Sequence, residues 1–155
     1  MSRSRATEAT TVKKPVGSDR QGTIAGLAVV VMAAGLGKRM HSKQAKVLHP
    51  VAGQAMVLYS VGLGLRVAGE PVAVVVGHQA ELVRQAIDQA VSGTSGARVL
   101  IVEQRKQLGT GHAVLQSRPV FGVGKRGAPS SYLILNGDTP LLREETVREL
   151  LRVHE

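Results

Sequence analysis

Leu27-Ala28-Val29-Val30-Val31-Met32-Ala33-Ala34-Gly35-Leu36-Gly37-Lys38-Arg39-Met40 decides the fold: an unbroken apolar run empties into a basic loop that carries two glycines. Leu27 to Met32 suits a strand covered on both faces, as in a parallel sheet flanked by helices. The glycines let backbone amides close around an anion, and Arg39 and Lys46 can neutralise it. The named phosphate motifs do not fit. G-x-G-x-x-G requires glycine where Met40 stands, and GxxxxGK followed by Ser or Thr matches neither Gly37-Lys38-Arg39 nor Gly124-Lys125-Arg126. The glycines alone are equally consistent with a tight strand-to-helix turn.

Outward from this stretch, Val72 to Val76, Val99 to Val102 and Tyr132 to Leu135 repeat the apolar strand pattern. Between them Leu82, Val83, Ala86, Ile87, Ala90 and Val91 make one helix face apolar and leave Glu81, Arg84 and Asp88 on the other. Met56, Tyr59 and Leu63 mark an earlier helix, interrupted by Gly62 and Gly64, and Val147, Leu150 and Leu151 mark a last one. The order β-α-β-α-β-α-β-α predicts an α/β fold, an open, mostly parallel, Rossmann-like sheet with helices on both faces. Ligands in such sheets bind beyond the carboxyl ends of the strands. Here those ends are Ala33 to Pro50, Gly77 to Gln79, Glu103 to Gly111 and Asn136 to Pro140. Gly122 to Ser131 reads as a mobile connection.

The length, 155 residues, fits one domain with a real core. Three aromatic residues, Tyr59, Phe121 and Tyr132, are too few for stacking on single-stranded nucleic acid. Absence of cysteine excludes disulfides, thiolate zinc sites and cysteine nucleophiles, and suits a cytoplasmic location. The net charge of +9 favours anionic partners. Part of it lies in residues 1–22, which read as a disordered basic tail before a nucleotide-binding part over 23–155. After Asp19 no acidic residue appears until Glu70, while Lys38, Arg39, Lys43, Lys46 and Arg66 lie between. An anion is expected there, so the charge implies a phosphate ligand rather than nucleic acid. The apolar run from Ile24 to Leu36 is shorter than the roughly 20 residues of a membrane span and lacks a cleavage region, so it reads as a strand, with no membrane partner.

Two further loops carry chemistry. Asn136-Gly137-Asp138-Thr139-Pro140 places one carboxylate after the last strand, where Mg²⁺ can use it. Mg²⁺ commonly takes one or two protein carboxylates and completes its octahedron with water and phosphate oxygens. Asp and Gly are also ordinary turn residues, and both readings of Asp138 stand. Gln104 to His112 offers amide side chains able to read a base edge, then Gly109-Thr110-Gly111 opening a short helix in which Thr110 is equally a plain cap. The five histidines show no metal-ligand spacing.

Met32 to Met40, Lys46-Val47-Leu48-His49, Val76-Gly77-His78-Gln79, Gln104 to Ala113 and Gly137 to Leu141 together resemble the uridylyltransferase domain of bacterial bifunctional N-acetylglucosamine-1-phosphate uridylyltransferases. The likeness covers about residues 24–155. It implies an Mg²⁺-dependent transfer of UMP from UTP to a sugar 1-phosphate, N-acetylglucosamine 1-phosphate. By resemblance, Met32, Ala33, Ala34 and Gly35 contact the uridine, Gly37 is a further nucleotide-binding residue, and Arg39 and Lys46 face the phosphates. Gln104, Gly109 and Thr110 hold the nucleotide, Asn136 and Gly137 reach it, and Asp138 is the metal carboxylate.

Two departures are visible: Lys38 stands where Thr is usual, and Ala45 replaces the Pro that usually precedes the lysine. That domain also continues past the last strand here, so a sheet incomplete at the C-terminus, without the sugar-gripping residues, is expected. Another nucleotidyltransferase of the same fold and a non-catalytic nucleotide-binding module are the alternatives, and the oligomeric state is left open.

Overall fold

The computed structural model describes residues 22–37, 40–68, 71–92 and 98–154. The basic tail, apart from Gly22, lies outside the described residues. Four strands form one sheet: β1 (Leu27–Ala33), β4 (Val72–Val76), β5 (Val99–Glu103) and β6 (Ser131–Asn136), in the order β5-β4-β1-β6 and all parallel. Helices α1 (Met56–Val67), α2 (Ala80–Val91) and α4 (Glu144–His154) follow the strands as the apolar periodicity predicted, and α3 (Thr110–Gln116) is the short helix expected after the Gly109-Thr110-Gly111 turn. The α/β class and the parallel sheet expected from the sequence are what the chain adopts. Among the described residues, no helix is long and apolar enough to cross a membrane.

The connections decide which face each helix covers. From β1 the chain moves through α1 to β4 and through α2 to β5, in one direction across the sheet. Right-handed crossovers therefore put α1 and α2 on the same face. From β5 it jumps back past β4 and β1 to β6, so α3 lies on the opposite face, and α4 returns to the first. The direction of winding reverses between β1 and β6, and a doubly wound sheet opens its ligand crevice at such a point.

Alternation along the strands divides the core. Leu27, Val29, Val31 and Ala33 of β1, Val72, Val74 and Val76 of β4, and Leu133 and Leu135 of β6 face α1, α2 and α4. Val57 and Val61 of α1, Val83 and Ile87 of α2, and Val147 and Leu151 of α4 meet them. Gly64, which looked like a weakness in α1, is where the helix presses on the sheet. A β-carbon there would stand 3.0 Å from Val29 and 3.2 Å from Val72 side chains.

The other face is thinner: Ala28, Val30, Ala34, Ala73 and Val75 are covered by Ala113 and Phe121. On β6 this face is partly bare, with Tyr132 and Ile134 exposed while Leu133 and Leu135 are buried. The expectation that every strand is covered on both faces therefore fails at both edge strands, since Leu100 of β5 is exposed as well. In α4, Leu150 is exposed beside buried Val147 and Leu151. Between α3 and β6, Ser117 to Gly127 form a succession of turns.

A 3-10 turn (Lys46–Leu48) and a small hairpin, β2 (Pro50–Val51) and β3 (Gln54–Ala55), carry the chain from the glycine loop to α1. The hairpin turns at Ala52 and Gly53, whose φ values of +47° and +80° match the positive φ at both centres of a type I′ turn.

Candidate functional site

The carboxyl ends of β1, β5 and β6 surround a cavity of about 400 Å³ at the winding reversal. Its floor is the even-numbered side of β1: Met32 and Ala34 line it, followed by Gly35 and Gly37. Gln104, Gln107, Gly109 and Thr110 form the β5–α3 wall with Ala113, while Asn136 and Asp138 come from the end of β6. Lys46 and Val47 close the remaining side from the 3-10 turn. The segments are far apart in sequence and meet only because β1 lies between β4 and β6.

Close approaches hold these walls in place. Gly37 has φ +59°, and a β-carbon on it would stand 2.7 Å from the Lys46 β-carbon, so the glycine loop packs directly on the residue that supplies the cation. Gly77, at the end of β4, passes under Ala34 and Gln107; a β-carbon there would stand 2.9 Å from the Ala34 carbonyl oxygen. The freed space lets Gln107 Nε2 donate to that carbonyl at 2.9 Å, tying the β5–α3 wall to the glycine loop. Gln104 is buried, donates through Nε2 to the Gly109 carbonyl at 3.1 Å, and lies 2.9 Å from His112 Nδ1. It thus fixes the turn that opens α3.

On the β6 side, the Gly137 N–H donates to the Met32 carbonyl at 2.9 Å. The Asn136 carbonyl accepts from Ser60 Oγ at 2.7 Å and from Thr139 Oγ1 at 2.9 Å. Asp138 is thereby held at the rim, and Lys46 Nζ donates to its Oδ2 at 2.5 Å. Both side chains remain about one-third exposed, open to exchange with a ligand from solvent.

Ten of the thirteen residues singled out from the sequence line this cavity: Met32, Ala34, Gly35, Gly37, Lys46, Gln104, Gly109, Thr110, Asn136 and Asp138. Ala33 does not; it alternates into the core under α1. Gly137 lies behind the lining, where a β-carbon would stand 3.0 Å from the Met32 carbonyl oxygen. Arg39 lies outside the described residues. Gln107, Ser60 and Gln79 carry contacts that sequence reasoning did not assign. Gln107 and Gln79 stood inside quoted motifs, whereas Ser60 had no signal beyond being polar on an apolar helix.

The donor set bears on a metal. Among the described residues no group of three or more His, Asp or Glu side chains gathers to hold an ion. Asp138 is one carboxylate at the rim of a cavity, which fits a cation such as Mg²⁺ that takes its other ligands from phosphate and water, and not a closed protein cage.

A family model described as the MobA-like NTP transferase domain matches residues 29–155. "Bifunctional protein GlmU" of Anaeromyxobacter sp. (strain Fw109-5) is 46% identical over 126 residues, 81% of this chain and 24% of that protein. The chain thus spans about a quarter of the length of the curated relatives it matches. Among solved structures, Rv0371c of Mycobacterium tuberculosis H37Rv aligns with a TM-score of 0.61 at 19% identity, covering 83% of this chain and 60% of that one. A UDP-glucose pyrophosphorylase complexed with UDP-glucose aligns at 0.60 and 16% identity, covering 82% of this chain and 54% of that one. At such identities these two likenesses concern the fold. On the strength of the match over 29–155, the chain belongs to the MobA-like NTP transferase domain family of nucleotidyltransferases.

Proposed function

We propose that this domain transfers UMP from UTP to N-acetylglucosamine 1-phosphate, releasing pyrophosphate. The observation that carries the reading is the meeting of Lys46 and Asp138 across the rim of a cavity at the winding reversal of the sheet. Similarity to proteins named GlmU over 81% of the chain supports UTP and this acceptor in particular.

In this reading a phosphate oxygen of the acceptor attacks the α-phosphorus in line, the bond to the bridging oxygen breaks, and pyrophosphate leaves. The transferring phosphate gathers negative charge, so the chain's contribution is positioning and charge neutralisation. The base and ribose rest on Met32, Ala34 and the Gln104–Thr110 wall. The backbone of Gly35 and Gly37 comes close to the phosphates, and Arg39 adds charge. Lys46 exchanges the Asp138 carboxylate for a phosphate oxygen, which frees Asp138 for a cation. Mg²⁺ bound at Asp138 supplies further charge neutralisation on the phosphates when present. The reading implies a cytoplasmic role in sugar-nucleotide supply.

The test is pyrophosphate release with Mg²⁺, UTP and N-acetylglucosamine 1-phosphate, beside a UTP-binding titration. Lys46→Ala and Asp138→Ala are each expected to lower kcat/KM by about 10²-fold or more. Near-normal turnover in both variants overturns the assignment, and preference for CTP, GTP or another acceptor moves the domain elsewhere in its family. Binding without turnover leaves a nucleotide-binding module.

A further inference from the structure

Gln79 has an unusual place for its chemistry. It precedes α2 with φ +54° and ψ +39°, a left-handed conformation that is strained for a residue with a β-carbon. Glycine would sit there without strain, and the Gln79 side chain does not cap the helix it precedes. Both its amide atoms are engaged elsewhere. Nε2 donates to the Lys43 carbonyl at 2.7 Å, and Oε1 accepts the Ala45 N–H at 2.7 Å. One side chain thus grips the bend that precedes the 3-10 turn at two points, the second immediately before Lys46.

Ala45 is held from its other side too. Its carbonyl accepts the Leu48 N–H at 2.9 Å and so begins the 3-10 turn that carries Lys46, while its own methyl is buried. With N–H and C=O both committed, the backbone that launches the Lys46 side chain toward Asp138 has little freedom left. Ala45 sits at φ −55° and ψ 135°, a conformation proline adopts readily. Proline there would restrain φ by its ring but could not donate to Gln79. This chain has an alanine with a donor at that point, and a glutamine placed to use it.

We infer that Gln79 is the positioning residue for Lys46: by clamping Lys43 and Ala45 it supplies through two hydrogen bonds the rigidity that a proline at 45 would supply covalently. The inference rests on the reading of Lys46 as the cation that meets the nucleotide phosphates, but the clamp itself can be read without nucleotide.

The experiment compares the wild-type protein with Gln79→Gly, Ala45→Pro and the double variant. Gln79→Gly removes the clamp and relieves the left-handed strain. Amide exchange at Leu48, followed by NMR without nucleotide, is expected to quicken at least tenfold in Gln79→Gly and to return to near the wild-type rate in the double variant. UTP affinity and kcat/KM are expected to fall about tenfold in Gln79→Gly and to recover in the double variant, with thermal stability no lower than wild type. A helix-starting role for Gln79 predicts no recovery from a proline at 45.

Ala45→Pro alone, which sets a ring against Gln79 Oε1, is expected to be worse than the double variant. Unchanged Leu48 exchange in Gln79→Gly overturns the clamp, whatever the nucleotide data are. Quickened exchange restored by proline, in a protein whose wild type binds no nucleoside triphosphate, upholds the clamp and fails the proposed function instead. Restored exchange with UTP affinity within twofold of wild type throughout overturns the positioning role.

Discussion

The two faces of the sheet are built to different purposes. Under α1, α2 and α4, β-branched and leucine side chains interlock and the strand residues of β1, β4 and β6 are shut from solvent. Under α3 the same strands present Ala28, Ala34 and Ala73 to one short helix and Phe121, and at the carboxyl edge that face opens into the cavity. Met32 and Ala34 belong to the thin face, whereas Val31 and Ala33, one residue away each, belong to the dense one. The dense face keeps the sheet in register, and the thin face leaves room for a ligand against its end.

This division has consequences that separate stability from binding. Ile87 of α2 is fully buried on the dense face, so Ile87→Ala is expected to lower unfolding free energy by about 2–5 kcal/mol in a denaturant titration. Leu115 of α3 is 55% exposed on the thin side, and Leu115→Ala should stay within about 0.5 kcal/mol of wild type. Comparable losses in the two variants would mean that α3 carries as much of the fold as α2, and the contrast would break.

The converse substitution lies in the glycine loop. Gly37→Ala forces a β-carbon to 2.7 Å from that of Lys46 at a φ of +59°. The backbone strain is worth roughly 1–2 kcal/mol. The displaced Lys46 should lower kcat/KM for UTP by about tenfold or more, equivalent to at least about 1.4 kcal/mol of transition-state binding. Stability lost with kcat/KM kept would make the loop a plain turn and place the phosphates elsewhere.

How much of this was legible in advance follows from which signals are periodic. Val29 to Val31 and Val72 to Val76 announced strands by β-branched runs, and Val83 and Ile87 announced α2 by helical spacing. A strand apolar on both sides has no period of two, so nothing in the sequence told Ala33 from Ala34, although one faces the core and the other the cavity. Strand order, and with it the position of the winding reversal, is a property of the crossovers and left no local trace. The β2–β3 hairpin was missed because Ala52 occupies a left-handed turn position usually signalled by Asn, Asp or Gly. Gln79 was quoted within a motif, but its role depends on a contact 34 residues away in sequence.

The smallest effect sharpens how the dense face holds α4. Val147 and Leu151 pack the helix on the core, and at its start Glu144 bridges two helices. Its Oε2 accepts from Arg66 Nε of α1 at 2.8 Å, and its Oε1 accepts from Arg148 at 2.7 Å. Partial burial pushes the Glu144 carboxyl upward, but the hydrogen bonds and charges of Arg148 and Arg66 outweigh it and hold the pKa below the usual glutamate value. A lowered folded pKa contributes stability that is present above the unfolded value, near 4.5, and is lost as pH falls through the folded one.

Glu144→Gln should therefore be less stable than wild type at pH 7 by up to about 1 kcal/mol, the scale of partly exposed ion pairs. The gap should close as pH falls below the unfolded value and through the lowered folded one, because the wild-type carboxyl then becomes neutral as well. Urea midpoints for both proteins across that range read it directly. A gap that persists at low pH would assign the effect to hydrogen-bond geometry rather than charge. No gap at pH 7 would mean that the Glu144 ion pairs add nothing measurable to the packing of Val147 and Leu151.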